Sequence, residues 1–450
     1  MSTTTTVTSP ASAKVELDSK HLGFARIFEN PAGSVEAAQR MLQKNHDEFH
    51  IFWRDVGGHN HMAHAVLSVL ALGGTPEELQ RAYDDGVAVQ RSMPPLDEKV
   101  VQSLHDAEVF RSKIGSIPDY INFLYFFEQE IDKKGWQTVC NEYLFTKTPI
   151  ANTLLARMYE GAYHPIIHLG LGIEFQQPSI IAEGLAQAAT HDSAGIEGFF
   201  LNSEALALES NAPSKSLIEL FHEVRDTEKI RTAARVQDGP VRVREGVIGR
   251  AGAEITALAS QYKVKPDELE RAVAEMISCN AFISGAAQRA RKVHKIDFFH
   301  MHNVTSSIFL SVLTQQPWIK LDDKVRLIEW KSRLDLVWYA ASAAAKLDAA
   351  WITDYVPTFS AGMDWISLYK ATNKAHDDGH VAKFIRAIKN GFDVAKPFES
   401  SQDAALLPVH GDMWFKVAQL AYDTTLNVPV DDKWVWGTGF DPMWMKVPAA

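Results

Sequence analysis

The chain predicts an all-α fold, a single large multi-helix domain around a buried central site, and three observations carry that prediction. Apolar residues recur at three and four spacing from about residue 34 onward, strand-like alternation is scarce, and helix stop and start signals fall between the periodic segments.

Taken in order, residues 1–33 open with MSTTTTVTSPASAKVELDSK, polar and threonine-rich. They read as a disordered or poorly ordered N-terminal tail rather than a secretory signal, because no basic stretch precedes an apolar core. VEAAQRMLQKNHDEF gives a first helix and HMAHAVLSVLALGG a second, closed by Gly73-Gly74. Thr75-Pro76-Glu77-Glu78 opens the next with a capping residue, a proline in the first turn and early carboxylates. PDYINFLYFFEQEIDKKG, PSIIAEGLAQAATHD and SLIELFHEV keep the helical period. Residues 227–246, charged and containing a Gly-Pro, read as a surface loop or lid within one helical domain spanning 34–450, and PVRVREGVI at 240–248 is the best strand candidate. Two long periodic runs follow, opened by Lys265-Pro266-Asp267 and by Leu321-Asp322-Asp323. No fixed period supports a solenoid.

With 450 residues and 46% hydrophobic content, the chain can bury an enzyme-sized core. Lys plus Arg total 45 against 56 Asp plus Glu, a net charge of -11, and no long basic run tracks a phosphate backbone, so nucleic acid is not an expected partner. Cys140 and Cys279 are the only cysteines and neither sits in a CxxC, which fits a reducing compartment and argues against a disulfide scaffold or cysteine zinc site. No apolar run reaches the ~18 residues of a membrane helix, so no membrane partner is expected and a cytoplasmic location is. An oligomer is compatible with this composition.

The 17 histidines are clustered. GGHNHMAH supplies His59, His61 and His64; YHPIIH supplies His164 and His168; FFHMHN supplies His300 and His302; KAHDDGHVAK supplies His376 and His380. On a helix, His61 with His64, and His164 with His168, each aim two imidazoles at one point, and pairs from different helices can converge on a metal. Neutral imidazole suits iron, copper, zinc and nickel. A lone histidine such as His105 or His222 reads instead as a core residue satisfied by a carbonyl. Paired imidazoles on apolar helices carry a desolvation cost that needs compensation. Lys383, three residues after His380, is ordinarily a solvated lysine; buried, it becomes a base or, if carbamylated, an oxygen ligand. HPIIH lacks the glutamate of HExxH, and no paired Glu-x-x-His di-iron motif, GxSxG elbow or phosphate loop is present. GVIGRAG at 246–252 has no strand-turn-helix unit around it, so no flavin or NADPH motif is legible. Trp351, Trp365, Trp414, Trp434, Trp436 and Trp444, with Phe415 and Phe440, read mainly as core, although walls of this kind suit a flat polycyclic ligand.

The blocks HNHMAHAVLSVLALGGTPEELQRAYD, GAYHPIIHLGLGIEF, FFHMHNVTSSIFL and DDGHVAKFIRAI, in this order, resemble the questin oxidase family, found largely in fungal polyketide pathways, over about residues 40–420. The resemblance implies Baeyer-Villiger oxidative opening of an emodin- or questin-type anthraquinone to a benzophenone, with dioxygen as co-substrate and NADPH as reductant. A histidine base suffices if the substrate enters as an electron-rich hydroquinone, the cofactor-free version; a mononuclear iron held by imidazoles is the metal version. His64, His164 and His168 are the expected centre, with His61, His302 and His380 next to them and Tyr163 as a candidate phenolic donor that also reads as packing. In the metal version the ligands come from His61, His64, His164, His168, His302, His380 and Lys383. The competing readings are an iron dioxygenase that cleaves a carbon-carbon bond, and a non-catalytic helical carrier of aromatic polyketides.

Overall fold

The computed structural model describes residues 9–27, 29–55 and 58–450. Its described residues form 21 α-helices and a single two-stranded antiparallel hairpin, Phe52–Arg54 against Gly58–His59, so the all-α expectation holds. One apolar core runs unbroken from Val15 to Trp434.

The helices that position the site are buried almost all round. Every residue of Met62–Ala71 is buried, as are nearly all of Glu160–Glu174, Pro178–Thr190 and Phe298–Thr314, the pattern of helices inside a core rather than on its surface. Close approach is set by small residues: a Cβ on Gly170 would lie 2.4 Å from Cβ of Phe309, so only glycine lets the Glu160–Glu174 and Phe298–Thr314 helices touch there. Local signals hold as well. Thr75 and Glu78 form a reciprocal capping box on Pro76–Val87, and Asp297 caps Phe298–Thr314 by accepting from the amides of Phe299 and His300.

Three expectations are corrected. Residues 1–8 and 28 lie outside the described residues, but the described part of the supposed tail is strapped to the core. Val15 and Leu22 are buried, Asp132 accepts from the amides of Ala11 and Ser12, and Glu174 accepts from the amide of Phe24. The stretch looks disordered by composition because its order comes from side chains far away in sequence. Residues 227–246 are not an open loop: helical turns at Glu228–Arg231 and Val236–Val241 pack against the core, and Asp238 is clamped by Arg250. The strand proposed at 240–248 is a π-helical turn, Arg242–Ile248. Its buried residues are Arg242, Val243, Gly246 and Val247, a helical spacing that the Val/Arg alternation disguises.

Candidate functional site

His61, its ring free of any capping bond, follows the Phe52–His59 hairpin region at the N-terminal boundary of the Met62–Ala71 helix, which places His64 one turn further along the same face. Opposite, residues Gly161, Ala162 and Tyr163 all take left-handed backbone, with φ of 53°, 54° and 69°. The regular helix therefore begins at His164, with Pro165 in its first turn, where a missing amide is harmless. The two histidine pairs then face each other. His61 Nε2 lies 2.7 Å from His164 Nε2, and His64 Nε2 lies 3.1 Å from His168 Nδ1.

The Phe298–Thr314 and His380–Ala395 helices close the centre. His302 Nε2 is 3.2 Å from His380 Nε2, and Lys383 Nζ is 3.2 Å from His64 Nδ1. Gly379, φ 92°, lets the start of the His380 helix sit against Met62–Ala71, since a Cβ there would be 2.9 Å from Cβ of Ala65. The structure thus brings together His61, His64, His164, His168, His302, His380 and Lys383. His59, stacked on the His164 ring at 3.9 Å and bonded to His191 at 2.8 Å, joins them.

Burial is the leading cause that holds His59, His61, His64, His164, His302 and His380 well below the ordinary imidazole value, and their mutual repulsion adds to it. Burial also pushes Lys383 down to about 8. Those six imidazoles therefore favour the neutral form, each with one free lone pair. Hydrogen-bond partners assign the tautomers of three rings: Nδ1 of His164 donates to the carbonyl of Gly161, Nδ1 of His302 to that of Phe298, and Nδ1 of His380 to Asp378. Each therefore points an unprotonated Nε2 inward. Two such nitrogens at 3.2 Å, those of His302 and His380, repel unless a proton or cation lies between them. Ligand atoms of His61, His164 and His380 also lie within 4.8 Å of one another, a spacing one ion can span.

Tyr163 is not at this centre. Its left-handed backbone turns the phenol away, and the hydroxyl donates to Asp335 at 2.7 Å, beside Lys331. His105 and His222, expected in the core, are exposed. Behind His168 lies a network that spacing alone does not reveal. His168 Nε2 donates to Glu183 Oε2 at 2.5 Å, Glu183 Oε1 accepts from His46 Nδ1 at 2.7 Å, and His46 Nε2 pairs with Glu128 at 2.9 Å. Asp378 behind His380 is another partner not anticipated. The available signal is a carboxylate in an otherwise apolar helix, as in IIAEGLAQ.

Burial lowers the His46 value, but the flanking Glu128 and Glu183 overcome this and push it up to about 10. Glu183 is raised by burial and brought down to about 2 by the two imidazoles. Because the folded His46 value exceeds its ordinary 6.5, the stability it contributes is whole below pH 6.5 and is lost as pH climbs toward about 10. Urea unfolding across that window is expected to show a steeper loss for the wild type than for His46→Gln. Equal slopes would refute the assignment.

Partly exposed groups border the centre. The His61 and Asp378 side chains are 19% and 30% exposed, and Trp436, 44% exposed, stacks at 4.0 Å on Phe298, whose ring is 4.5 Å from His302. Trp434 lies 6.4 Å from His380, whereas Trp414 is plain core. A separate cleft of about 1470 Å³, lined by Tyr262, Lys263, Arg271 and Phe398 among others, touches none of these histidines.

Residues 58–388 match the questin oxidase-like family. The chain belongs to that family. It is 64% identical to a Baeyer-Villiger oxidase of Pestalotiopsis fici, with 97% of this chain and 98% of the relative covered. It is 52% identical to the questin oxidase of Aspergillus terreus, covering 96% and 97%, and 50% identical to a Baeyer-Villiger monooxygenase of Cryptosporiopsis sp., covering 97% and 99%. In this questin oxidase-like chain the centre from His59 to Lys383 lies inside the matched span, while His46 and Trp436 lie outside it. No helix among the described residues is long and apolar enough to cross a membrane.

Proposed function

We propose that the protein is an oxygenase that opens the central ring of a reduced anthraquinone by Baeyer-Villiger-type oxidation, giving a benzophenone in polyketide metabolism. The observation that carries this is the buried convergence of neutral imidazoles beneath an aromatic mouth, in a chain whose full-length relatives are Baeyer-Villiger and questin oxidases. The quinone takes a hydride from NADPH and a proton from water to become the hydroquinone, which enters along Phe298 and Trp436. Trp436, stacked on Phe298 at 4.0 Å and 44% exposed, offers its exposed surface to a flat polycycle. A neutral imidazole of the centre accepts a phenolic proton, and the resulting electron-rich anion reacts with dioxygen. The imidazolium N-H so formed and the buried surroundings stabilise charge that develops on oxygen.

The inward lone pairs of His164, His302 and His380, with His61, fit a mononuclear iron, and His64, His168 and Lys383 adjoin them. Bound there, the iron would supply Lewis acidity and dioxygen activation. The deciding experiment reduces an emodin-type anthraquinone anaerobically, adds protein and isotopically labelled dioxygen, and weighs the product. A ring-opened benzophenone carrying label is expected. One labelled atom favours insertion and two favour carbon-carbon dioxygenation; bound but unchanged hydroquinone leaves only a carrier. Elemental analysis before and after chelation separates the iron version from the cofactor-free one. A cytoplasmic location is part of the same proposal.

A further inference from the structure

The group of buried ionisable residues behind the centre, Glu128, His46 and Glu183, makes no contact with a substrate approaching the mouth, yet each is at most 5% exposed. They come from three helices, Tyr120–Lys134, Ser34–Glu48 and Pro178–Thr190, and form a chain in which Glu183 alone touches His168. Burying two carboxylates and an imidazole is expensive unless they serve one another. Here His46 separates the carboxylates, at 2.7 Å from Glu183 and 2.9 Å from Glu128. Glu183 spends its second oxygen on His168.

The hydrogen-bond directions follow one from the next. A carboxylate can only accept, so His168 Nε2 carries a hydrogen and gives it to Glu183. From the other end, Lys383 Nζ is a donor 3.2 Å from His64 Nδ1, so His64 carries its hydrogen on Nε2 and gives it to His168 Nδ1, 3.1 Å away. His64 Nδ1 then has its lone pair turned toward Lys383, 3.2 Å away, at the edge of the centre. Glu183 at one end and Lys383 at the other thus decide the tautomers of two imidazoles in series.

We propose that Glu183, held by His46 and Glu128, is a positioning residue that locks His168 and, through it, His64 into the single tautomer whose free nitrogen faces Lys383 and the reaction centre. The bracket sets ring orientation as well as proton placement, in the way that a carboxylate behind an imidazole raises its basicity and fixes its rotation. The inference rests on the reading of the imidazole centre as the reaction site. It has a readout independent of turnover.

In protein labelled with nitrogen-15 histidine, the wild type is expected to show His64 protonated at Nε2 alone and His46 protonated at both nitrogens at neutral pH. In Glu183→Gln the amide cannot accept at both positions, so His64 is expected to show mixed tautomers, with kcat down about 10- to 100-fold and KM little changed. A wild-type His64 protonated at Nδ1 overturns the proposal, as does a Glu183→Gln protein with wild-type kcat or an unmixed His64. If Glu183→Gln fails to fold, the wild-type spectrum decides. Absence of anthraquinone turnover in the wild type would refute the proposed reaction while leaving the spectra to judge the tautomer lock.

Discussion

Replacing His164 by alanine is expected to lower dioxygen-coupled turnover of the reduced anthraquinone by about 10²- to 10⁴-fold, the usual contribution of a positioned proton acceptor. The expectation rests on its place. His164 touches His61 at 2.7 Å, stacks on His59 at 3.9 Å and sits 4.9 Å from the His302 ring, so it is the ring through which the two halves of the centre meet. Its Nδ1 is fixed by Gly161, which leaves Nε2 as the reactive atom. Oxygen uptake and product mass measure the effect, and circular dichroism checks that the helices remain. His222→Ala is the matched control, an exposed imidazole outside the cluster that is expected to leave turnover unchanged. Wild-type turnover in His164→Ala would move the chemistry elsewhere.

Much of this centre was legible in the sequence because helical spacing does the work: three and four residues between histidines suffice to put His61 with His64 and His164 with His168 on shared faces. Lys383, one turn after His380, follows the same rule, and the structure places it beside His64. The bracket was not legible, since His46 and Glu183 lie 137 positions apart and only tertiary packing pairs them. Tyr163 failed for a different reason. YHPIIH reads as continuous helix, but three left-handed residues precede His164 and point the phenol to the far side. The strapped segment after residue 8 failed because composition reports what a stretch can bury by itself, and this one borrows Asp132 and Glu174 from elsewhere.

The far side to which Tyr163 points holds the second large expected effect. Lys331 and Asp335 are wholly buried and paired one helical turn apart. Asp335 also accepts from Tyr163 at 2.7 Å and from Asn280 at 2.9 Å, while the Lys331 ammonium lies 4.5 Å over the Tyr163 ring and donates to the carbonyl of Asn303 at 3.2 Å. Burial drives the Asp335 value up and the Lys331 value down, and each partner restores the charged form of the other. Lys331→Met keeps the volume but strands a carboxylate in the core, so unfolding free energy is expected to fall by about 3–5 kcal/mol. Adding Asp335→Asn removes the stranded charge, and the double variant is expected to recover most of that loss. Urea unfolding of the four proteins in the cycle measures the coupling; additive losses would show that the pair does not act as a unit. The consequence reaches the imidazoles, because the phenol held by Asp335 belongs to the residue before His164. Two of the three left-handed residues there are not glycine, and each such backbone costs on the order of 1–3 kcal/mol, which persists only where surrounding bonds over-determine it. Lys331→Met is therefore expected to lower kcat as well as stability, while Asp335→Asn alone, which still accepts from Tyr163, preserves the turn and more of the activity.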